Sequence, residues 1–197
     1  METVLILDFG AQYSQLIARR VREQNVYCEV KPCSISPAEI EKIAPIGIIL
    51  SGGPQSVYES VSPHVDPALF ALGIPVLGIC YGCQLMAYSL GGTVAAATEA
   101  TAREYGKTLT EFDTDCSIFQ GLPASSVTWM SHGDYISQVP DGFAGTAKTA
   151  VCPTAAMACP EKKLYGVQFH PEVLHTENGT KILHNFVYKV CGCAGTW

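Results

Sequence analysis

The sequence predicts an α/β fold, a mostly parallel central sheet flanked by helices with an antiparallel extension. Three observations predict it. Short, nearly all-apolar runs alternate with amphipathic or turn-rich stretches through the first half, the pattern of strands buried on both faces. The second half changes to shorter strand-like segments divided by turn residues. The chain has 197 residues, 48% hydrophobic and 15% charged. That is enough apolar surface for one domain around a large core, and too little charge for a disordered chain.

The elements follow in order. Val4-Leu5-Ile6-Leu7 is a first strand, ended by Asp8-Phe9-Gly10. Leu16, Ile17 and Val21, with Arg19, Arg20 and Arg22 between them, have the spacing of an amphipathic helix. Tyr27 to Val30 reads as a second strand, and residues 37–43 as a short helix with Pro37 near its start. Ile46 to Leu50 is a third strand, broken by Ser51-Gly52-Gly53-Pro54. Pro75 to Ile79 is a fourth, and residues 83–90 form the next helix. Residues 105–112, 127–131, 143–150, 154–158 and 164–169 are the shorter strands, and Asn178 to Val190 is a closing helix. Residues 1–190 therefore make one domain. The last seven, Cys191 to Trp197, have the composition of a linker start or C-terminal tail.

Composition excludes several classes of function. The net charge is −6 and the pI about 5.3. No Lys/Arg run or basic stripe with interleaved aromatics is present, so nucleic acid is not an expected partner. Residues 67–98 carry no charge, which invites a membrane reading. Gly73, Pro75, Gly78, Gly82, Gln84, Gly91 and Gly92 interrupt that stretch, leaving no apolar span of ~20 residues. The nine cysteines are odd in number and follow no disulfide framework. With no signal peptide ahead of the first strand, a reducing cytoplasm with mostly buried thiols is the expectation.

Three segments carry chemistry. Gly78-Ile79-Cys80-Tyr81-Gly82 follows a strand and precedes a helix. This is the G-x-nucleophile-x-G pattern of a strained strand-turn-helix elbow, with the helix N-terminus aimed at the sulfur to favour thiolate. The bland alternative is a buried strand ending in an inert thiol. In Gly166-Val167-Gln168-Phe169-His170-Pro171-Glu172, residues two apart on extended chain share a side. His170 and Glu172 can thus supply the base and orienting carboxylate that a thiol lacks. A surface histidine beside a loop glutamate is the alternative there. Ser51-Gly52-Gly53-Pro54 can present backbone N–H groups to an oxyanion. Ser-Gly-Gly-x-Asp-Ser loops bind pyrophosphate, but this one has Gln55 in place of Asp, and Pro54 removes a donor, so the oxyanion role is preferred. Cys80-x-x-Cys83 suggests a redox pair or metal site. Two further zinc ligands at suitable spacing are missing, so no metal is expected.

Together, the loop Ser51 to Pro54, the elbow Gly78 to Gln84 and the segment Gln168 to Glu172 resemble the class I glutamine amidotransferases in order and spacing. The resemblance extends over the whole chain. It is carried further by Asp8 to Arg22, Trp129-Met130-Ser131-His132-Gly133-Asp134 and His170 to Thr176, which are similar to a member of that class that aminates a purine nucleotide. Two positions depart from the pattern: Cys83 stands where Met is expected, and Leu174 where Thr is usual. The resemblance implies a flavodoxin-like sheet, with glutamine hydrolysed through a thioester on Cys80 by the Cys80, His170 and Glu172 triad. It implies an oxyanion hole from the N–H groups of Gly53 and Tyr81. Gln84 and the backbone near Ser131 and His132 would hold the amino-acid end of glutamine. The chain itself would need no cofactor. ATP and Mg are expected only in an ATP pyrophosphatase domain or subunit that receives the ammonia. A glutaminase serving another synthetase, or a non-catalytic α/β interaction module, are the alternatives.

Overall fold

A computed structural model of the chain describes residues 1–10, 13–54, 56–97 and 103–197. Ala11, Gln12 and Gln55, quoted in the motifs above, lie outside the described residues. Strands β1 (Thr3–Asp8), β2 (Tyr27–Pro32), β3 (Gly47–Leu50) and β4 (Val76–Ile79) form where the apolar runs predict them. Then follow β5 (Thr93–Ala96), β6 (Glu104–Phe112), β7 (Ser125–His132), β8 (Asp134–Gln138), β9 (Ala144–Lys148), β10 (Ala156–Cys159) and β11 (Leu164–Val167). Among the described residues, nine strands make one sheet in the order β2-β1-β3-β4-β11-β10-β9-β6-β7. Pairs from β2 through β11 are parallel and those from β11 to β7 antiparallel. A second, two-stranded antiparallel sheet joins β5 and β8.

Alternation along each strand divides the core into two. Val4, Ile6, Ile49, Leu77, Ile79 and Val167 face one cluster, with Ile17, Ala18 and Val21 of α1 (Ser14–Arg22) and Ile182 and Leu183 of α4 (Gly179–His184). Leu5, Leu7, Ile48, Leu50, Val76 and Leu164 face the other, with Ile40 of α2 (Pro37–Ile43) and Leu85, Met86 and Ala87 of α3 (Tyr81–Ser89). Helix α2 starts on a capping box between Ser36 and Glu39, with Pro37 in its first turn, as the sequence predicts.

Three differences from the sequence-based expectation bear on the site or the chain end. Strand β11 belongs to the second half but pairs parallel with β4, in register Gly166↔Gly78 and Val167↔Ile79. The closing helix is α-helical only to His184, and Asn185–Val190 winds as a π-helix. The buried Asn185 amide donates to Ile118 O at 3.0 Å and Gln120 O at 2.9 Å, a demand that an ideal α-turn does not accommodate. The last seven residues pack on the domain. Cys191 and Cys193 are buried, Ala194 N–H donates to Glu2, Trp197 N–H donates to Asn25 O, and the Trp197 ring lies against Tyr27. No helix among the described residues is long and apolar enough to cross a membrane.

Candidate active site

The pairing of β4 with β11 sets the site. Both strands end at the same edge of the sheet, so the residues that follow them meet there, at the carboxyl ends of parallel strands. Cys80 follows β4, and its N–H donates to Val167 O at 2.8 Å. Its backbone is held at φ 52°, ψ −109°, a conformation that L-residues rarely adopt. The elbow is locked by close packing. A Cβ on Gly78 would lie 2.7 Å from Gly82, and one on Gly82 would lie 2.6 Å from Leu50 O. A tight turn alone predicts small residues here; the structure adds that α3 is pressed onto β3 and β4.

His170 is buried, and its Nδ1–H donates to Glu172 Oε1 at 3.0 Å. With Nδ1 engaged, Nε2 is the ring nitrogen left for the hydrogen bond that His170 shares with Cys80. Burial alone pulls the His170 imidazolium down. Hydrogen bonds and charge attraction from Cys80 and Glu172 outweigh it and push the pKa up to about 10. The segment carrying the pair is clamped to β7. His170 N–H donates to Trp129 O, Thr176 Oγ1 donates to His170 O at 2.6 Å, and Trp129 N–H donates to Thr176 Oγ1 at 2.9 Å. Arg20 of α1 adds a further tie, its Nε–H donating to Glu172 O at 3.0 Å. The segments that carry the resemblance, far apart in sequence, are thus mutual neighbours.

The Ser51-Gly52-Gly53-Pro54 loop closes one side. Ser51 Oγ accepts from Phe9 N–H and donates to Gly52 O, both at 3.1 Å. Each glycine has a packing reason. A Cβ on Gly52 would stand 3.1 Å from His170 Cε1 and 3.5 Å from Cys80 Cβ, and one on Gly53 would stand 3.0 Å from Phe9 O. Gly53, Tyr81, Gln84, Ser131, His132, Cys80 and His170 all line one cavity of about 650 Å³. Glu172 stands behind His170, shielded from solvent. All eight residues singled out from the sequence are therefore at this cavity or directly behind it.

The far wall is a hydrogen-bond network. His132 Nδ1–H donates to Asp134 O at 2.7 Å, and Nε2 meets Glu104 Oε1 at 3.1 Å. Thr149 Oγ1 donates to the other Glu104 oxygen at 2.8 Å. Glu104, His132 and Cys152 bring oxygen, nitrogen and sulfur within 4.8 Å of one another, the one such group among the described residues. Each of those atoms already has a protein partner, and burial pushes the Cys152 thiol up to about 12, which opposes thiolate coordination. Cys83 is a free, fully buried thiol on the α3 side of the elbow, packed against Gly166. Burial, the largest influence on it, pushes its thiol far up, the setting of an inert packing residue. Leu174, the other departure, is solvent-exposed.

Sequence reasoning missed Gln168, Arg20 and Thr176. Gln168 had a legible signal, since it stands two residues before His170, as His170 stands two before Glu172. Arg20 and Thr176 act through long-range hydrogen bonds to backbone, which leave no local pattern.

Comparison with known proteins agrees with this geometry. The family model "Glutamine amidotransferase class-I" matches residues 5–190. A GMP synthase [glutamine-hydrolyzing] of Clostridium botulinum is 57% identical over 196 residues, covering 100% of this chain and 38% of that protein. The relative of the same name from Lachnospira eligens is 56% identical, with 37% of its length covered. The chain thus spans under two fifths of the length of these curated relatives. A Thermoplasma acidophilum protein, assigned as one subunit of a GMP synthase, superposes with a TM-score of 0.83 at 31% identity, over 97% of this chain and 94% of that one. A glutamine amidotransferase of Thermotoga maritima shares the fold, with a TM-score of 0.74 at 20% identity over 98% and 99% of the two chains. With that match spanning the sheet, the elbow and the His170–Glu172 segment alike, the chain belongs to the class I glutamine amidotransferases.

Proposed function

We propose that this chain hydrolyses glutamine to glutamate and ammonia through a thioester on Cys80. The observation that carries the reading is the meeting of Cys80, His170 and Glu172 at one cavity, with the histidine charged by its two partners. The Cys80 thiolate attacks the side-chain amide carbon. The N–H groups of Gly53 and Tyr81 receive the oxyanion. His170 gives its proton to the leaving ammonia. Once the sulfur is acylated, His170 loses its anionic neighbour and becomes a base for the water that cleaves the thioester. Glu172 keeps the imidazole in the required tautomer throughout. Gln84 and the backbone at Ser131 and His132 hold the amino-acid end of the substrate. No step calls for a cofactor in this chain.

The ammonia is passed to an ATP pyrophosphatase domain or subunit that aminates XMP to GMP. The names of the relatives support this, as does the whole-length identity. ATP and Mg belong to that partner. Ammonia released to neutral solution is protonated and no longer a nucleophile, so hydrolysis is held back until the partner is loaded. The Ser51 to Pro54 loop is the part expected to move, since a small displacement of Gly53 changes the oxyanion donors. The Asp8 to Arg22 segment and the Ser131 to Asp134 turn, which both contribute to the cavity wall, are the docking surface. The test is glutamate release by the chain alone and with the synthetase partner under turnover with XMP and ATP. Slow release that the loaded partner accelerates supports the reading. No release in either condition contradicts it, and a rate unchanged by the partner removes the control.

A further inference from the structure

Gln168 follows β11 and is wholly buried, and its side-chain amide lies between Cys80 and Gln84. Its Oε1 accepts from Gln84 Nε2 at 3.0 Å, and its Nε2 donates to Cys80 Sγ at 3.6 Å. Gln84 Nε2 also donates to Asp134 O at 3.0 Å. A carbonyl can only accept, so Asp134 O fixes which end of the Gln84 amide faces it. Gln84 then fixes Gln168, because a reversed Gln168 would set two NH2 groups against each other. One orientation of the pair satisfies every partner. It leaves a hydrogen on the Cys80 sulfur and turns the Gln84 carbonyl away from the network.

We propose that Gln168 is a positioning residue for the glutaminase reaction: its amide donates a hydrogen to the Cys80 sulfur and locks Gln84 so that an acceptor faces the substrate. This rests on the assignment of Cys80 as nucleophile. The first role follows from the sulfur's needs. A thiolate takes up a hydrogen-bond donor far more strongly than a neutral thiol does, so a fixed amide hydrogen favours the reactive form. His170 must later give up its proton to the leaving group, whereas the Gln168 hydrogen stays in place through the cycle. The second role follows from counting donors. Both hydrogens of Gln84 Nε2 are used within the protein, on Asp134 O and Gln168 Oε1. What Gln84 offers the cavity is its carbonyl, which suits the N–H groups of an amino acid. The two roles share one amide, so substrate binding and thiol activation depend on the same buried residue.

The test uses the whole chain and four variants. Gln168→Met keeps most of the volume and removes both donor and acceptor. Gln168→Glu keeps the acceptor for Gln84 and, when ionised, has no hydrogen to give. Gln84→Ala and Cys80→Ala are the controls, and circular dichroism reports the fold of each. Two quantities are measured: the pH dependence of Cys80 alkylation by iodoacetamide, read by mass spectrometry, and KM and kcat for glutamate release. Both Gln168 variants are expected to alkylate about tenfold more slowly at neutral pH, the scale of one lost hydrogen bond, with the profile displaced to alkaline pH. Gln168→Met also raises KM, whereas Gln168→Glu holds it nearer the parent value. Gln84→Ala raises KM without displacing the alkylation profile. An alkylation profile unchanged in folded Gln168→Met overturns the proposal; if that variant does not fold, the same result in Gln168→Glu overturns it. Parent-level hydrolysis by Cys80→Ala removes the nucleophile assignment and this inference with it, an outcome distinct from a failure at Gln168 alone.

Discussion

His170 Nδ1 lies 3.0 Å from Glu172 Oε1, and both side chains are nearly sealed from solvent, 8% and 0% exposed. A carboxylate so placed does two things. It fixes the proton on Nδ1, leaving Nε2 for the sulfur, and it helps hold the imidazolium against the pull of burial.

The first prediction follows from that pair. His170→Ala should lower glutamine hydrolysis by roughly 10³-fold or more, because proton transfer fails in both halves of the reaction. Glu172→Ala should cost less, since the carboxylate orients without transferring a proton. Equal losses in steady-state assays would give Glu172 a direct chemical role instead.

The pH dependence has a definite sign. In the parent the imidazolium persists to about pH 10. Glu172→Gln removes one of the two groups that raise His170, so the alkaline limb of kcat/KM should move to lower pH. A pH-rate profile of glutamate release checks this, and a limb that stayed in place would contradict it.

The same shift contributes to stability. The folded state holds the His170 proton more tightly than the unfolded chain, whose histidine keeps the ordinary value of 6.5. The contribution is therefore complete below about pH 6.5 and is lost as pH rises through about 10. Urea denaturation of the parent and His170→Ala at several pH values should show their stability difference shifting against the parent across that window.

Cys80 stores backbone strain. At φ 52° and ψ −109° a glycine is far less strained than an alanine, and both lack the sulfur. Cys80→Gly should be more stable than Cys80→Ala by about 1 kcal/mol, with both inactive. The comparison by thermal melting isolates the backbone cost of presenting the nucleophile. Equal melting temperatures would mean that the elbow carries no strain.

Thr176→Val keeps the shape and removes a hydroxyl that joins Trp129 N–H to His170 O. The orphaned buried N–H should cost about 1–3 kcal/mol of stability. Because the clamp positions the histidine, kcat should fall with it while KM changes little. A loss of stability with kcat intact would reduce the clamp to a packing feature.

Much of this was legible in the sequence, for physical reasons. Val4 to Leu7, Ile46 to Leu50 and Pro75 to Ile79 read as strands because both their faces are buried, which leaves unbroken apolar runs. Cys80, His170 and Glu172 were legible because their spacing is dictated by an elbow and by a two-residue period. The small sheet was not. Thr93–Ala96 and Asp134–Gln138 are short and half exposed, without the apolar run or clean alternation that marks the larger sheet. The placement of β11 beside β4 was not legible either, since strand order is set by tertiary pairing. That placement is what brings Gln168 and His170 to the sulfur. The π-turn at Asn185 depends on two carbonyls some sixty-five residues away in sequence.

The most direct test of the central claim is mass spectrometry of the chain after treatment with a glutamine-like chloroketone or diazo-ketone. The account predicts one adduct per chain, on Cys80, with glutaminase activity lost in proportion and with glutamine protecting. An adduct on another of the nine cysteines, or full hydrolysis by chains labelled at Cys80, would contradict it.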